Sequence, residues 1–95
     1  MEKSIYSHDY SLFLDQLRNA REAKSLTQAQ VAERLQQTQS FVSKVERGER
    51  RLDVVELRAF CIAMGTSLSA FITKIDEILD GQISVKFHAS NRQKK

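Results

Sequence analysis

The 95 residues include one cysteine, three glycines and no proline, and no apolar run is long enough to cross a bilayer. A single cysteine excludes an intramolecular disulfide. Its neighbours Phe60, Ile62 and Ala63 make Cys61 a small apolar filler rather than a reactive or metal-binding thiol. The glycines form no phosphate-cradling loop, and the two histidines, His8 and His88, lie in opposite terminal segments. With no paired carboxylates and no metal-ligand spacing either, neither enzymatic activity nor a metal or cofactor is expected. The N-terminal segment MEKSIYSHDYS lacks the apolar stretch of a signal peptide, so a cytoplasmic chain with no membrane association is expected.

What is present fits one soluble domain. The chain is 41% hydrophobic and 28% charged, and at this length a fold removes roughly 60 to 70% of the unfolded surface from water without a covalent staple. The net charge of +3 and pI near 9.2 argue only weakly for a polyanionic partner. The distribution argues better. Lys44, Arg47, Arg50 and Arg51 cluster in mid-chain, whereas Asp76, Glu77 and Asp80 gather much later.

The most informative stretch is TQAQVAERLQQTQSFVSKVERG, residues 27–48. Thr27 and Gln30 form a capping-box pattern, and Val31, Ala32 and Leu35 then repeat at helical spacing. Gln36 and Gln37 read as a turn, Thr38 as the cap of a second short helix, Val42 and Val45 as its inward side, and Gly48 as its left-handed stop. The outward side carries Gln39, Ser40, Ser43, Lys44 and Arg47, and no acid occurs from Gln36 to Val45. A surface that lies against phosphates excludes carboxylates and offers short hydrogen-bonding side chains to base edges, so this side suits a DNA groove.

These residues, with LRNAREAKSLTQAQVAERL before them and LDVVELRAFCIAMGTSLSAFI after, resemble the phage-repressor and Cro-like helix-turn-helix domains, the XRE type, over about residues 17–72. The resemblance implies an all-α fold, a five-helix lambda-repressor-like DNA-binding domain. It implies that the helix from Gln39 enters the major groove while Gln28 meets the phosphate backbone. It further implies that Arg21 pairs with Glu46, and that left-handed backbone is needed at Ser25 and Gln36, where relatives carry glycine. The expected DNA-binding set is Gln28, Thr38, Gln39, Ser40, Phe41, Ser43, Lys44, Arg47, Arg50 and Arg51, with Phe41 against a thymine methyl.

The flanks complete the reading. Residues 1–7 give little signal, and a helix is expected from near His8 or Asp9 with Leu12, Phe13, Leu14, Leu17 and Ala20 inward. Asp53 and Glu56 form another capping box ahead of a helix whose core residues are Val54, Leu57, Phe60, Cys61 and Met64, stopped by Gly65. Ser67 caps a fifth helix carrying Ile72, Ile75, Ile78 and Leu79, more apolar length than a small bundle needs. After Gly81 the period falls to two, with Ile83, Val85 and Phe87 alternating, the signature of a short C-terminal β-strand. A domain over 1–81 and a strand plus basic tail over 82–95 are therefore expected. Ile75, Ile78, Leu79, Ile83, Val85 and Phe87 are the candidates for a homodimer contact.

The function implied is a sequence-specific transcriptional regulator of double-stranded DNA, a repressor binding a palindromic operator as a homodimer. The alternative is an antitoxin-type or protein-interaction module that uses the same fold on a protein partner such as a toxin.

Overall fold

The computed structural model describes residues 2–83, with side chains over 8–81. Five helices follow one another: α1 Glu2–Ala23, α2 Gln28–Leu35, α3 Gln39–Glu46, α4 Val54–Ala63 and α5 Leu68–Ile83.

The starts of α2 to α5 are chemically marked. The Thr27 hydroxyl accepts from the Gln30 N–H at 3.0 Å while the Gln30 side chain accepts from the Thr27 N–H at 2.8 Å. Asp53 and Glu56 make the same reciprocal pair at 2.8 and 2.9 Å. Thr38 and Ser67 cap α3 and α5 through the N–H groups of Phe41 and Ala70. These side chains satisfy amide donors that a helix start otherwise leaves orphaned, each cap stabilising by about 1 kcal/mol.

All four connections leave their helix by one device. A residue with left-handed backbone, Ser25 (φ 58°), Gln36 (φ 59°), Gly48 (φ 81°) or Gly65 (φ 78°), reverses the chain. The N–H that follows then reaches back to a carbonyl in the last turn: Leu26 to Arg21 (3.2 Å), Gln37 to Ala32 (2.9 Å), Glu49 to Lys44 (2.8 Å) and Thr66 to Cys61 (2.9 Å). This six-to-one bond closes the helix end and fixes the angle at which the next helix departs. Two of the four positions lack glycine, and nothing in the structure explains why.

The five helices enclose one core of Leu17, Val31, Ala32, Val42, Val45, Leu57, Phe60, Cys61, Ala63, Met64, Phe71 and Ile75. Leu26 and Leu52, each just ahead of a helix cap, pack on it, as do Phe13 and Ala20 of α1. Phe13 meets Phe71 edge to face at 6.1 Å, which ties α1 to α5. Cys61 is fully buried, and burial pushes its thiol pKa up, consistent with a space-filling role.

Three expectations are corrected. α1 begins at Glu2, not near His8, because residues 2–7 contain no proline or glycine to stop the backbone. Val54 is 62% exposed rather than core. It opens the first turn of α4, and its neighbours Arg51 and Asp53 line a surface groove with it. At the other end α5 runs through Gly81 to Ile83, so Gln82 and Ile83 are helical rather than the opening of a strand. Gly81 does not take the left-handed backbone that would end the helix. The rest of the expected strand, Val85 and Phe87 included, lies outside the described residues.

Candidate nucleic-acid interface

α2 and α3 pack closely, with Val31, Ala32, Val42 and Val45 buried, and this contact sets the attitude of α3 on the domain. Gln39, Ser40 and Lys44 lie exposed on the other side; Ser43 and Phe41 are half-buried. Phe41 stands with its ring 6.1 Å from that of Phe60, so part of it belongs to the edge of the core.

Among the described residues Glu46 is the only charged one in the core, 8% exposed at the end of α3. The Arg21 Nε donates to its Oε2 at 2.6 Å and the Arg21 Nη2 to its Oε1 at 3.0 Å, a bidentate pair that joins α1 to α3. A third Arg21 nitrogen, Nη1, donates to the Leu26 carbonyl at 2.8 Å. The hydrogen bonds Arg21 donates to Glu46 first, and the charge of Glu46 as well, hold the Arg21 pKa above the ordinary guanidinium value against the opposing effect of burial.

The pair does not end the network. The Gln28 Nε2 donates to Glu46 Oε1 at 3.0 Å, and the Gln39 Nε2 donates to Gln28 Oε1 at 3.4 Å. A carboxylate only accepts, so Gln28 must turn its NH2 toward Glu46 and its oxygen toward Gln39. Gln39 must then turn its own NH2 toward Gln28. The amide polarity of the first residue of α3 is thus dictated from inside the fold.

The arginines of this side are each engaged. Arg47 grips Glu49 with two nitrogens, at 3.0 and 3.1 Å, and donates to the Ser43 hydroxyl. Arg50 grips Glu56 at 2.7 and 3.2 Å, donates to the Arg51 carbonyl, and lies 5.2 Å above the Phe41 ring centre. Arg51 stands over the Tyr10 ring at 4.1 Å. The Arg47 hydrogen bond and charge hold the Glu49 carboxyl below its ordinary range, and Arg50 does the same to Glu56. The Lys44 ammonium makes no hydrogen bond or ion pair among the described residues. Thr38 uses its hydroxyl oxygen in capping α3, which leaves its O–H free to donate.

Sequence reasoning missed Glu49, Glu56 and Tyr10 as partners of the arginines. The first depends on the left-handed turn at Gly48, which folds Glu49 back beside Arg47. Glu56 was visible only as a capping residue, and the Tyr10 contact joins residues forty-one positions apart. Of the positions expected at a subunit contact, Ile75 is 9% exposed and belongs to its own core, while Ile78 and Leu79 are half-buried. No group of acids, histidines and cysteines suited to a metal ion occurs among the described residues, and no single helix there is long and apolar enough to cross a membrane.

Residues 12–71 match the helix-turn-helix domain family. A solved structure titled an XRE-family like protein, from Pseudomonas syringae pv. tomato str. DC3000, is 44% identical to this chain with a TM-score of 0.74, covering 81% of this chain and 94% of that one. No protein among the curated ones matches the chain.

Proposed function

From the premise that the chain belongs to the XRE-type helix-turn-helix family and is a DNA-binding transcriptional regulator, we propose that it is a repressor whose α3 reads an operator from the major groove. The observation that carries this reading is the hydrogen-bond chain ending at Gln39. With its NH2 held toward Gln28, the Gln39 amide keeps one N–H and its oxygen for a base edge, the donor and acceptor pair that adenine matches through N7 and N6. Ser40 and the unpaired Lys44 are the other base readers. Arg47, Arg50 and Arg51 reach phosphates once these displace Glu49, Glu56 and the Tyr10 contact, and Gln28 sets the first turn of α2 on the backbone.

One recognition helix reads too few base pairs for a unique address, so a second copy about 34 Å away on the duplex is required. Supporting such a homodimer is an apolar groove of about 420 Å³ beside the half-buried Leu79, lined also by Tyr10, Phe13, Val54 and Leu57. Selection of sites from a random pool, followed by fluorescence anisotropy on the selected palindrome, tests both parts. Lys44→Ala should cost about 1 to 3 kcal/mol on the selected site and relax one position, whereas Arg47→Ala should weaken selected and random DNA alike. Val54→Glu should weaken the full palindrome and spare a half-site. Selected sites without twofold symmetry, or equal loss on both DNAs for Lys44→Ala, would refute the corresponding part.

A further inference from the structure

α4 is apolar on more than its inner side, which is ordinary only for a helix covered all round. Leu57, Phe60 and Cys61 are in the core, but Val55 is 73% and Ile62 57% exposed. They stand seven residues apart, two helical turns, with exposed Ala59 between them, so the three form one outward ridge. The end of α2 meets this ridge. Arg34, Leu35, Ala59, Ile62 and Ala63 line a groove of about 380 Å³, and a smaller one of about 130 Å³ continues from Leu35 and Ala59 to Gln37 and Phe41. The strip therefore ends beside the first turn of α3.

Its rim is cationic. The Arg34 Nη1 donates to the Ala63 carbonyl at 2.7 Å, which caps α4 and fixes the guanidinium at the edge of the groove. Arg58 stands three residues after Val55 and four before Ile62, and its side chain makes no hydrogen bond or ion pair among the described residues. Neither arginine has an acid three or four residues away on its own helix to neutralise it. The acid at the far end, Glu56, is held by Arg50 and by the Asp53 N–H.

We propose that this strip docks an acidic amphipathic helix of another protein, whose apolar ridge covers Val55, Ala59 and Ile62 and whose carboxylates meet Arg34 and Arg58. Charge decides between occupants. A twofold contact with a second copy would press Arg34 and Arg58 against their own equivalents with no free carboxylate on the strip to offset them. A phosphate backbone would satisfy the arginines and leave Val55 and Ile62 in water. Only a partner that is both apolar and acidic matches both sets. Its position beside Gln37 and Phe41 sets such a partner next to the duplex, so the regulator would hold DNA and protein on adjoining surfaces.

The test titrates the full chain, with labelled Val, Ile and Ala methyls, with two designed helical peptides that share a leucine ridge and differ in carrying glutamates or lysines beside it. The glutamate peptide should shift the Val55, Ala59 and Ile62 methyls saturably and bind at least about tenfold tighter than the lysine peptide. Arg58→Glu should reverse that preference, and Ile62→Ser, a change at an exposed position, should abolish binding of both. DNA affinity should stay within about twofold in both variants. Absence of saturable shifts or equal binding of the two peptides overturns the proposal. So do methyl shifts that track protein concentration without peptide, which would identify a second copy, and a loss of DNA affinity in Arg58→Glu, which would assign the strip to DNA.

Discussion

Replacing Glu46 or Arg21 by methionine probes the buried carboxylate of the core, and the structure makes the two changes unequal. Without Glu46, the Arg21 guanidinium still donates to the Leu26 carbonyl and has Glu22 at 3.8 Å. Without Arg21, the Glu46 carboxylate, its side chain 6% exposed, keeps only the amide of Gln28. Leaving one member of a buried pair uncompensated costs about 3 to 5 kcal/mol, so Glu46→Met belongs near the lower end and Arg21→Met near the upper. For a domain of this size 3 kcal/mol lowers Tm by roughly 12 °C or more. The double variant removes both charges and fills the site with similar volume, so it should be more stable than either single one. Urea denaturation followed by circular dichroism gives the cycle, with a coupling of about 2 kcal/mol or more expected. The Glu46 interaction raises an Arg21 pKa that is already far above neutrality. That stability is present below the unfolded pKa, hence undiminished from neutral to mildly alkaline pH. Two small, additive losses, each under about 1 kcal/mol, would mean that water reaches the pair and that the reasoning fails.

Glu49→Gln should release Arg47 for phosphates, raising affinity for random DNA and steepening its salt dependence in anisotropy titrations; unchanged slopes would show that the ion pair does not restrain the arginine. The Glu56 carboxyl, lowered by the Arg50 hydrogen bond first, should titrate in a carbon-detected NMR series below the ordinary carboxylate range, and Arg50→Gln should bring it back up. A depressed folded pKa means that this contact stabilises the fold above the ordinary carboxylate range and is lost as pH falls through the folded value. Gln36→Gly should raise stability by up to about 1 kcal/mol because φ there is 59°, whereas Gly48→Ala should lower it, since φ is 81° and a new Cβ would stand 3.0 Å from Leu14 Cδ1; thermal melts of the two decide it.

What was legible in the chain was whatever short-range chemistry dictates. The capping boxes at Thr27 and Asp53, the caps at Thr38 and Ser67, and the stops at Gly48 and Gly65 each depend on residues within a few positions of one another, so the five helices and their order followed from local pattern. Left-handed backbone at Ser25 and Gln36 was implied by the family resemblance alone, because a serine or glutamine carries no signal for positive φ. Val54 misled for a physical reason. Its spacing from Leu57 and Cys61 is that of a core stripe, but periodicity cannot say where the neighbouring elements stop covering a helix. Gly81 misled in the opposite sense, since glycine permits a helix end without requiring one. The partners of the arginines were not legible either, because Arg51 over Tyr10 and Arg50 over Phe41 exist only once α1, α3 and the 47–53 loop are brought together.

Those contacts bear on how DNA and a second copy would act on the domain. Tyr10 lies beneath Arg51, and the same ring lines the groove that holds Val54 and Leu79. If a second copy covers that groove, it presses on the side chain that carries Arg51, and so on the loop whose arginines are proposed to reach phosphates. If DNA arrives first and draws Arg51 away, the Tyr10 ring is uncovered at the edge of the same groove and gains from being covered again. The two events share a side chain, and a coupling free energy between binding steps acts equally in both directions. Assembly on the operator would then strengthen phosphate contact, and phosphate contact would strengthen assembly, with no movement of the recognition helix. Gln39 stands apart from this exchange. Its amide is fixed through Gln28 to Glu46 and Arg21, contacts that involve neither Arg50 nor Phe41, so under the proposed function base reading and phosphate holding would rest on separate sets of contacts.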